Sequence, residues 1–206
     1  MDTYEASLVV VSDAGRPDAP HPHHLPVAGL RVRAVSLPGV FPQAFVSQRE
    51  AKAACEEAEK RLCTDEEWTL ACEGAEAAAR TYPYGEPHRP GACNDAASVS
   101  PLTQIFGPRA AGNGYRWDEL NDPRLGLVPG ALAKTGAHPG CRTPEGVVDL
   151  VGNLHEWTDD PGGTFRGGFY LDTRQHGEGC RYVTTAHDVS YRDYSIGFRC
   201  CAGAAP

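Results

Sequence analysis

Apolar residues recur at helical spacing in two short segments, and each is preceded by a start signal. Ser47-Gln48-Arg49-Glu50 has the form of a capping box, in which the Ser47 hydroxyl accepts from the backbone near Glu50 and the Glu50 carboxylate reaches back. Ala51, Ala54, Cys55, Ala58 and Leu62 then fall on one helical face. Thr64-Asp65-Glu66-Glu67 is a second capping box, and it opens a helix carrying Trp68, Ala71, Cys72 and Ala75 that ends near Gly74. Residues 2–11 read as a strand through Tyr4 and the run Leu8-Val9-Val10-Val11. Residues 30–35 alternate apolar Leu30, Val32 and Ala34 with basic Arg31 and Arg33, the pattern of a half-exposed strand. Short strands are also expected at residues 147–151, 164–170, 181–185 and 195–201.

Between these elements the pattern fades. Residues 13–24 form a loop containing Pro and His. Residues 82–146 are punctuated by Gly and Pro and show little periodicity, so a compact fold must pin them with disulfides or metal ions. The chain has no internal repeat and no interdomain linker, and it reads as one α+β domain over residues 1–206. Its 23 Gly and 17 Pro favour turns over regular structure, and its single Met argues against a simple helical bundle. A net charge of -8 argues against non-specific nucleic-acid binding, which needs clustered Lys and Arg. No apolar run approaches the length of a membrane helix, and Leu8 to Val11 is too short for a signal-peptide core.

The 8 cysteines are Cys55, Cys63, Cys72, Cys93, Cys141, Cys180, Cys200 and Cys201. No C-x-x-C spacing occurs, which removes the main signal for a zinc knuckle or a thioredoxin motif. An even number of cysteines in a chain this small reads as disulfides; the alternative is a set of buried free thiols acting as small hydrophobes. Disulfides imply an oxidising compartment and hence export, with the signal lying upstream of Met1.

Several segments together resemble one family. They are Lys60-Arg61-Leu62-Cys63-Thr64-Asp65-Glu66-Glu67-Trp68, Tyr82-Pro83-Tyr84-Gly85, residues 146–157 ending in Gly152-Asn153-Leu154-His155-Glu156-Trp157, Arg166-Gly167-Gly168 and Gly197-Phe198-Arg199-Cys200. In this order they resemble the formylglycine-generating enzyme, or sulfatase-modifying factor, family. The resemblance implies an α+β, C-type-lectin-like fold, disulfide-rich and low in regular secondary structure, without the β-hairpin that usually precedes the first strand. It also implies Cys55 paired with Cys200 and Cys72 with Cys180. Neighbours on a strand face opposite ways, so Cys200 and Cys201 can reach different partners; the remaining pairs expected are Cys201 with Cys63 and Cys93 with Cys141 across the long loop.

The family's aerobic enzymes bind copper(I) with two cysteines shortly after the Gly-Gly pair and oxidise a substrate cysteine to formylglycine; soft thiolates suit that ion. Here the first position is Asp172 and the second falls at His176 or Gly177, so copper-thiolate oxidation is expected to be absent. Asp172, His176, Glu178, His187 and His155 are candidates for acid-base or transition-metal chemistry, against a reading as an ordinary polar loop with a backbone-bonded histidine. His21, His23 and His24 read as a solvent-exposed cluster. The resemblance also implies structural calcium, held by the Asp149 and Glu156 side chains and the Gly152 and Leu154 carbonyls. Asn94 and the Asp95 carbonyl match the start of a second calcium site.

Three functions follow. The first is an extracytoplasmic binding module, braced by disulfides and calcium, for an unidentified protein, peptide or glycan. Its surface could include Tyr170, Tyr182, Tyr191 and Tyr194, unless these pack on the sheet. The second is a metal-dependent oxidoreductase of altered chemistry using His155, Asp172, His176 and His187. The third is formylglycine generation itself, which ranks last because the needed sulfurs are missing.

Overall fold

The protein is described from a computed structural model that covers residues 1–12, 18–75, 79–110 and 114–203; part of the expected 13–24 loop, residues 13–17, lies outside the described residues. Three small sheets and four short helices share the chain with long turns. Strand β1 (Ala6–Val10) lies between β2 (Ala19–Pro20) and β3 (Val32–Ser36), antiparallel to both. Ala6 and Leu8 face the core along with Val32 and Ala34, which is the inward half of the expected alternation. Helix α1 (Gln48–Glu56) buries Ala51, Ala54 and Cys55 against this sheet.

Both capping boxes form as read. Ser47 accepts from the Glu50 N–H and Thr64 from the Glu67 N–H, while each glutamate returns a bond to the cap backbone. The first helix is shorter than its apolar pattern suggests. Glu59 takes φ 57, the chain reverses, and Leu62 ends strand β4 (Lys60–Leu62) instead of a helical face. Pairing with β9 (Cys200–Ala202) outweighs the helical periodicity here, because Leu62 lies opposite Cys200 and Arg61 opposite Cys201. Helix α2 (Asp65–Glu73) stops at Gly74, leaving Ala75 exposed beyond it.

The third sheet has the order β7-β6-β5-β8. Strand β5 (His155–Trp157) is antiparallel to β6 (Phe165–Arg166) and parallel to β8 (Ile196–Phe198); β7 (Val183–Thr184) closes the far edge. The expected strand at 164–170 is cut to two residues, since Gly167 and Gly168 both take positive φ. A Cβ at Gly167 would meet the Leu150 carbonyl at 2.5 Å, and one at Gly168 the Asp172 carbonyl at 2.3 Å, so only glycine fits. The expected strand at 147–151 does not form. Asp149 sits at φ 60, and the segment spreads its backbone bonds between Thr3 and Cys141. Val148, Leu150 and Val151 are nevertheless buried, with Val147 partly so.

The long 82–146 stretch is not wholly irregular. It contains α3 (Pro101–Phe106), capped by Ser100 with Pro101 in its first turn, α4 (Trp117–Leu120), and a 3-10 turn at Pro123–Leu127. Leu102, Leu125 and Val128 from this stretch pack with Phe45, Leu154, Tyr170 and Tyr194 in a second core. The disulfides join Cys55–Cys200, Cys63–Cys201, Cys72–Cys180 and Cys93–Cys141, and no cysteine is free. Among the described residues no helix is long and apolar enough to cross a membrane.

The Cys93–Cys141 bond closes a loop with a sequence separation of 48. Replacing both cysteines by alanine should lower unfolding free energy by about 3–4 kcal/mol in urea titrations, the loop-closure contribution of a cross-link of that length. An unchanged midpoint would show that the loop is pinned without it.

Candidate functional site

Strand β5 divides its side chains between two environments. Glu156 points to one side, where α2 and the chain following β8 meet. Its Oε2 accepts from the Trp68 indole at 2.8 Å and from Arg199 Nε at 2.7 Å, and its Oε1 accepts from Arg199 Nη2 at 2.6 Å. The pair is almost fully buried, with both side chains 1% exposed. The rest of the Arg199 guanidinium donates to the carbonyls of Asp2, Thr3 and Val148. Burial works against the charge on Arg199, but the facing Glu156 outweighs it and its pKa is raised.

Two more carboxylates lie beside this pair. Glu5 is fully buried and accepts from Asn153 Nδ2 at 2.6 Å and from the Leu154 N–H at 3.2 Å. Asp149 accepts from the Gly136 N–H at 2.6 Å. Burial pushes both pKa values up; at Glu5 the charges of Asp149 and Glu156 add to this, while Arg199 opposes it at both. Asn153, at φ 57, also accepts from Asn94 and from the Ala133 N–H, which fixes the turn before β5. Asn94 is thus a structural donor, its amide also reaching the Ala131 carbonyl. Asp95 lies 2.7 Å from His88 Nε2 through one carboxylate oxygen, and its other oxygen has no partner.

On the opposite side of β5, His155 is buried against Phe165, Phe169 and Tyr182, with ring centroids 4.8, 4.9 and 5.4 Å away. Its Nδ1 has no hydrogen-bond partner. Burial lowers its pKa to about 3; the charge of Asp172 opposes this, while His187 and His176 reinforce it. His187 packs on the same Phe165, at 4.6 Å, and on Tyr191, at 4.9 Å. His176 is exposed and meets the edge of Tyr182 at 5.6 Å. The Tyr182 hydroxyl donates to Asp172 at 3.0 Å, and burial with that neighbouring charge raises the phenol pKa. The other Asp172 oxygen accepts from the Arg174 and Gln175 N–H groups. The fold therefore brings His155, Asp172, His176 and His187 around one aromatic wall, whereas Glu178 is turned away and accepts from Tyr82. Among the described residues no group of three His, Cys, Asp or Glu is arranged to hold a metal ion.

A sulfatase-modifying factor enzyme 1-like domain matches residues 33–204. The chain belongs to the sulfatase-modifying factor family. It is 30% identical over 174 residues to the Bos taurus protein named inactive C-alpha-formylglycine-generating enzyme 2, covering 80% of this chain and 51% of that one. The Mus musculus protein of the same name is also 30% identical, with 80% and 50% covered. The chain thus spans about half the length of these curated relatives. The solved structure of PvdO from Pseudomonas aeruginosa shares the fold at TM-score 0.51 and 15% identity, covering 92% of this chain and 69% of that one.

In this sulfatase-modifying factor domain the tyrosines take the packed alternative: Tyr170, Tyr182 and Tyr194 are buried and Tyr191 is half-buried, forming the aromatic wall and second core. The His21, His23 and His24 cluster is not loose in solvent. His21 Nδ1 lies 2.9 Å from Gln43 Oε1, and His23 stacks on Phe41 with its Nε2 3.0 Å from the Gly126 carbonyl. Sequence reading missed Arg199, Glu5 and Trp68 as the groups surrounding Glu156. A charged residue inside the apolar run Gly197-Phe198-Arg199-Cys200 was the available signal, since a buried guanidinium requires a carboxylate partner.

Two outcomes test this geometry. Glu156→Gln should destabilise the fold by about 3–5 kcal/mol in denaturant titration, because it leaves Arg199 buried and unpaired. A His whose folded pKa is depressed contributes stability above its unfolded pKa and loses it as pH falls. Between pH 6.5 and pH 5 the His155 contribution should fall by about 1.6 kcal/mol. The measurement is the difference between wild type and His155→Phe, whose stability should depend less on pH over that window.

Proposed function

We propose that this domain is an extracytoplasmic binding module that keeps the family scaffold without its copper-thiolate oxidase chemistry. One observation carries the reading: every cysteine is committed to a disulfide. Copper(I) ligation by the family's route requires a pair of thiolates. The corresponding positions hold Asp172, bonded to Tyr182, and the His176 or Gly177 region, while the nearest sulfur, Cys180, is bonded to Cys72. The name of the bovine and murine relatives, which calls them inactive, supports the same reading. Four disulfides favour a periplasmic, cell-surface or secreted location.

Calcium is part of the proposal as a structural brace. What supports it is the excess of buried acidic groups beside β5, where Glu5, Asp149 and Glu156 surround one guanidinium, although the three are not grouped as a ligand cluster. Asp149 and the carbonyls of Gly152 and Leu154 would hold it. Glu156 would join them only by sharing oxygens that now accept from Arg199 and Trp68. Bound there, calcium would supply charge compensation and no chemistry.

A second reading, an enzyme of altered chemistry, is favoured by the convergence of His155, Asp172, His176 and His187 on one wall. Here the sequence departs furthest from the thiol pattern. His155, neutral through most of the pH range, would act as an acceptor, and His176 lies exposed against the edge of Tyr182.

Three measurements separate these readings. Incubated with copper(I), oxygen and a cysteine-bearing peptide, the protein should form no aldehyde detectable by a hydrazide probe; aldehyde formation would overturn the main reading. Transition-metal content lost on His176→Ala and His187→Ala would favour the enzyme. Added calcium at about 100 times its dissociation constant should stabilise the EDTA-treated protein by about 2.7 kcal/mol. An unchanged melting temperature would remove calcium from the proposal.

A further inference from the structure

Strand β3 ends the first sheet on an edge that is unpaired among the described residues. In an antiparallel pair, successive residues direct their backbone groups alternately toward the partner and away from it. The Val11 N–H donates to the Arg31 carbonyl at 2.9 Å, and the same phase runs through the pairs Val9↔Arg33 and Ser7↔Val35. The intervening β1 residues face the other way, since the Leu8 and Ala6 carbonyls accept from His21 and Gln43. By this alternation the N–H and C=O groups of Val32, Ala34 and Ser36 point away from β1. None of these groups has a hydrogen-bond partner among the described residues. Ala34 lines the groove beside this edge. An edge whose backbone groups are unpartnered is a template for another strand.

Room for that strand exists. A groove of about 510 Å³ runs along the edge, with residues 33–37 on one wall and the turn of residues 57–60 on the other. The charges around it select the occupant. Arg33 is paired with Asp18, Lys60 with Asp2, and Arg31 with Glu57. Glu59 is exposed and has no ion-pair partner among the described residues, and the whole chain carries -8. A second copy of this acidic chain would bring another Glu59 to the shared groove. A basic strand would find complementary charge there, and Leu37, 48% exposed at the groove's end, offers contact for an aliphatic side chain.

We propose that the free edge of β3 is a docking site for an extended peptide segment of a partner protein, with lysine or arginine alternating with aliphatic residues. The segment adds as a fourth strand, its backbone satisfying Ala34 and Ser36 and its basic side chains facing Glu59. The site belongs to a different sheet from the His155 wall and does not depend on the function proposed for that wall.

The test uses a fluorescein-labelled Lys-Val-Lys-Val-Lys-Val peptide, with Glu-Val-Glu-Val-Glu-Val and Lys-Val-Lys-Pro-Lys-Val as controls. Anisotropy should show saturable binding of the first, weakened roughly tenfold or more in both controls and in Glu59→Lys. Amide exchange at Ala34 and Ser36 should slow when the first peptide is added. Glu59 is exposed, so its substitution should leave the melting temperature intact, and that measurement accompanies the binding data. Absence of saturable binding, equal binding of all three peptides, or binding without slowed exchange on β3 would each overturn the proposal. Protection of the same amides on raising protein concentration alone would overturn it in favour of self-pairing.

Discussion

The Arg199–Glu156 pair is the constraint on which the rest of the structure depends. A guanidinium and a carboxylate, each 1% exposed, are stable only where every donor is met and the facing charge lies within contact. Arg199 meets that condition by drawing in the carbonyls of Asp2, Thr3 and Val148 as well as Glu156. One side chain therefore fixes the start of the chain, the turn before β5, and the strand that carries the late cysteines. The Trp68 indole adds α2 to the same carboxylate. Hydrophobic burial alone is non-directional, whereas this set of bonds admits one arrangement.

Disulfides reinforce that arrangement in a particular place. Adjacent Cys200 and Cys201 face opposite ways on β9 and bind Cys55 and Cys63, so α1 and β4 are both tied to the strand following Arg199. The same commitment that braces the fold removes thiolate chemistry from the aromatic wall. With soft ligands gone, Asp172 becomes a local organiser, accepting from the Tyr182 hydroxyl and two backbone N–H groups. His155, shut away from water by Phe165, Phe169 and Tyr182, is kept neutral.

How far each feature could be read in the chain follows the range of the forces involved. The helix starts at Ser47 and Thr64 were legible because a capping box closes within four residues. The strand at Val32–Ser36 was legible through alternation. Helix α3 was missed although Ser100-Pro101 is a start signal, because six residues are too few to show a period. Residues 147–151 were read as extended because they are apolar, yet burial says nothing of φ, and Asp149 is left-handed. Leu62 kept helical phase in the sequence and was claimed by a strand 138 residues away, as the Cys63–Cys201 separation records.

The sequence by itself determined where the chain must turn, which residues seek the interior, and that residues 169–179, after the Gly-Gly pair, hold Asp172 and His176 and no cysteine. Those properties are local: capping, alternation, glycine at positive φ and the identity of one side chain. Only the tertiary structure decided which buried charges meet. It joined Arg199 to Glu156, set Glu5 and Asp149 beside them, gathered His155, His176 and His187 around Phe165 and Tyr182, and left one edge of β3 without a partner. Such pairings depend on desolvation and on distances across strands far apart in the chain, and no local periodicity records either quantity.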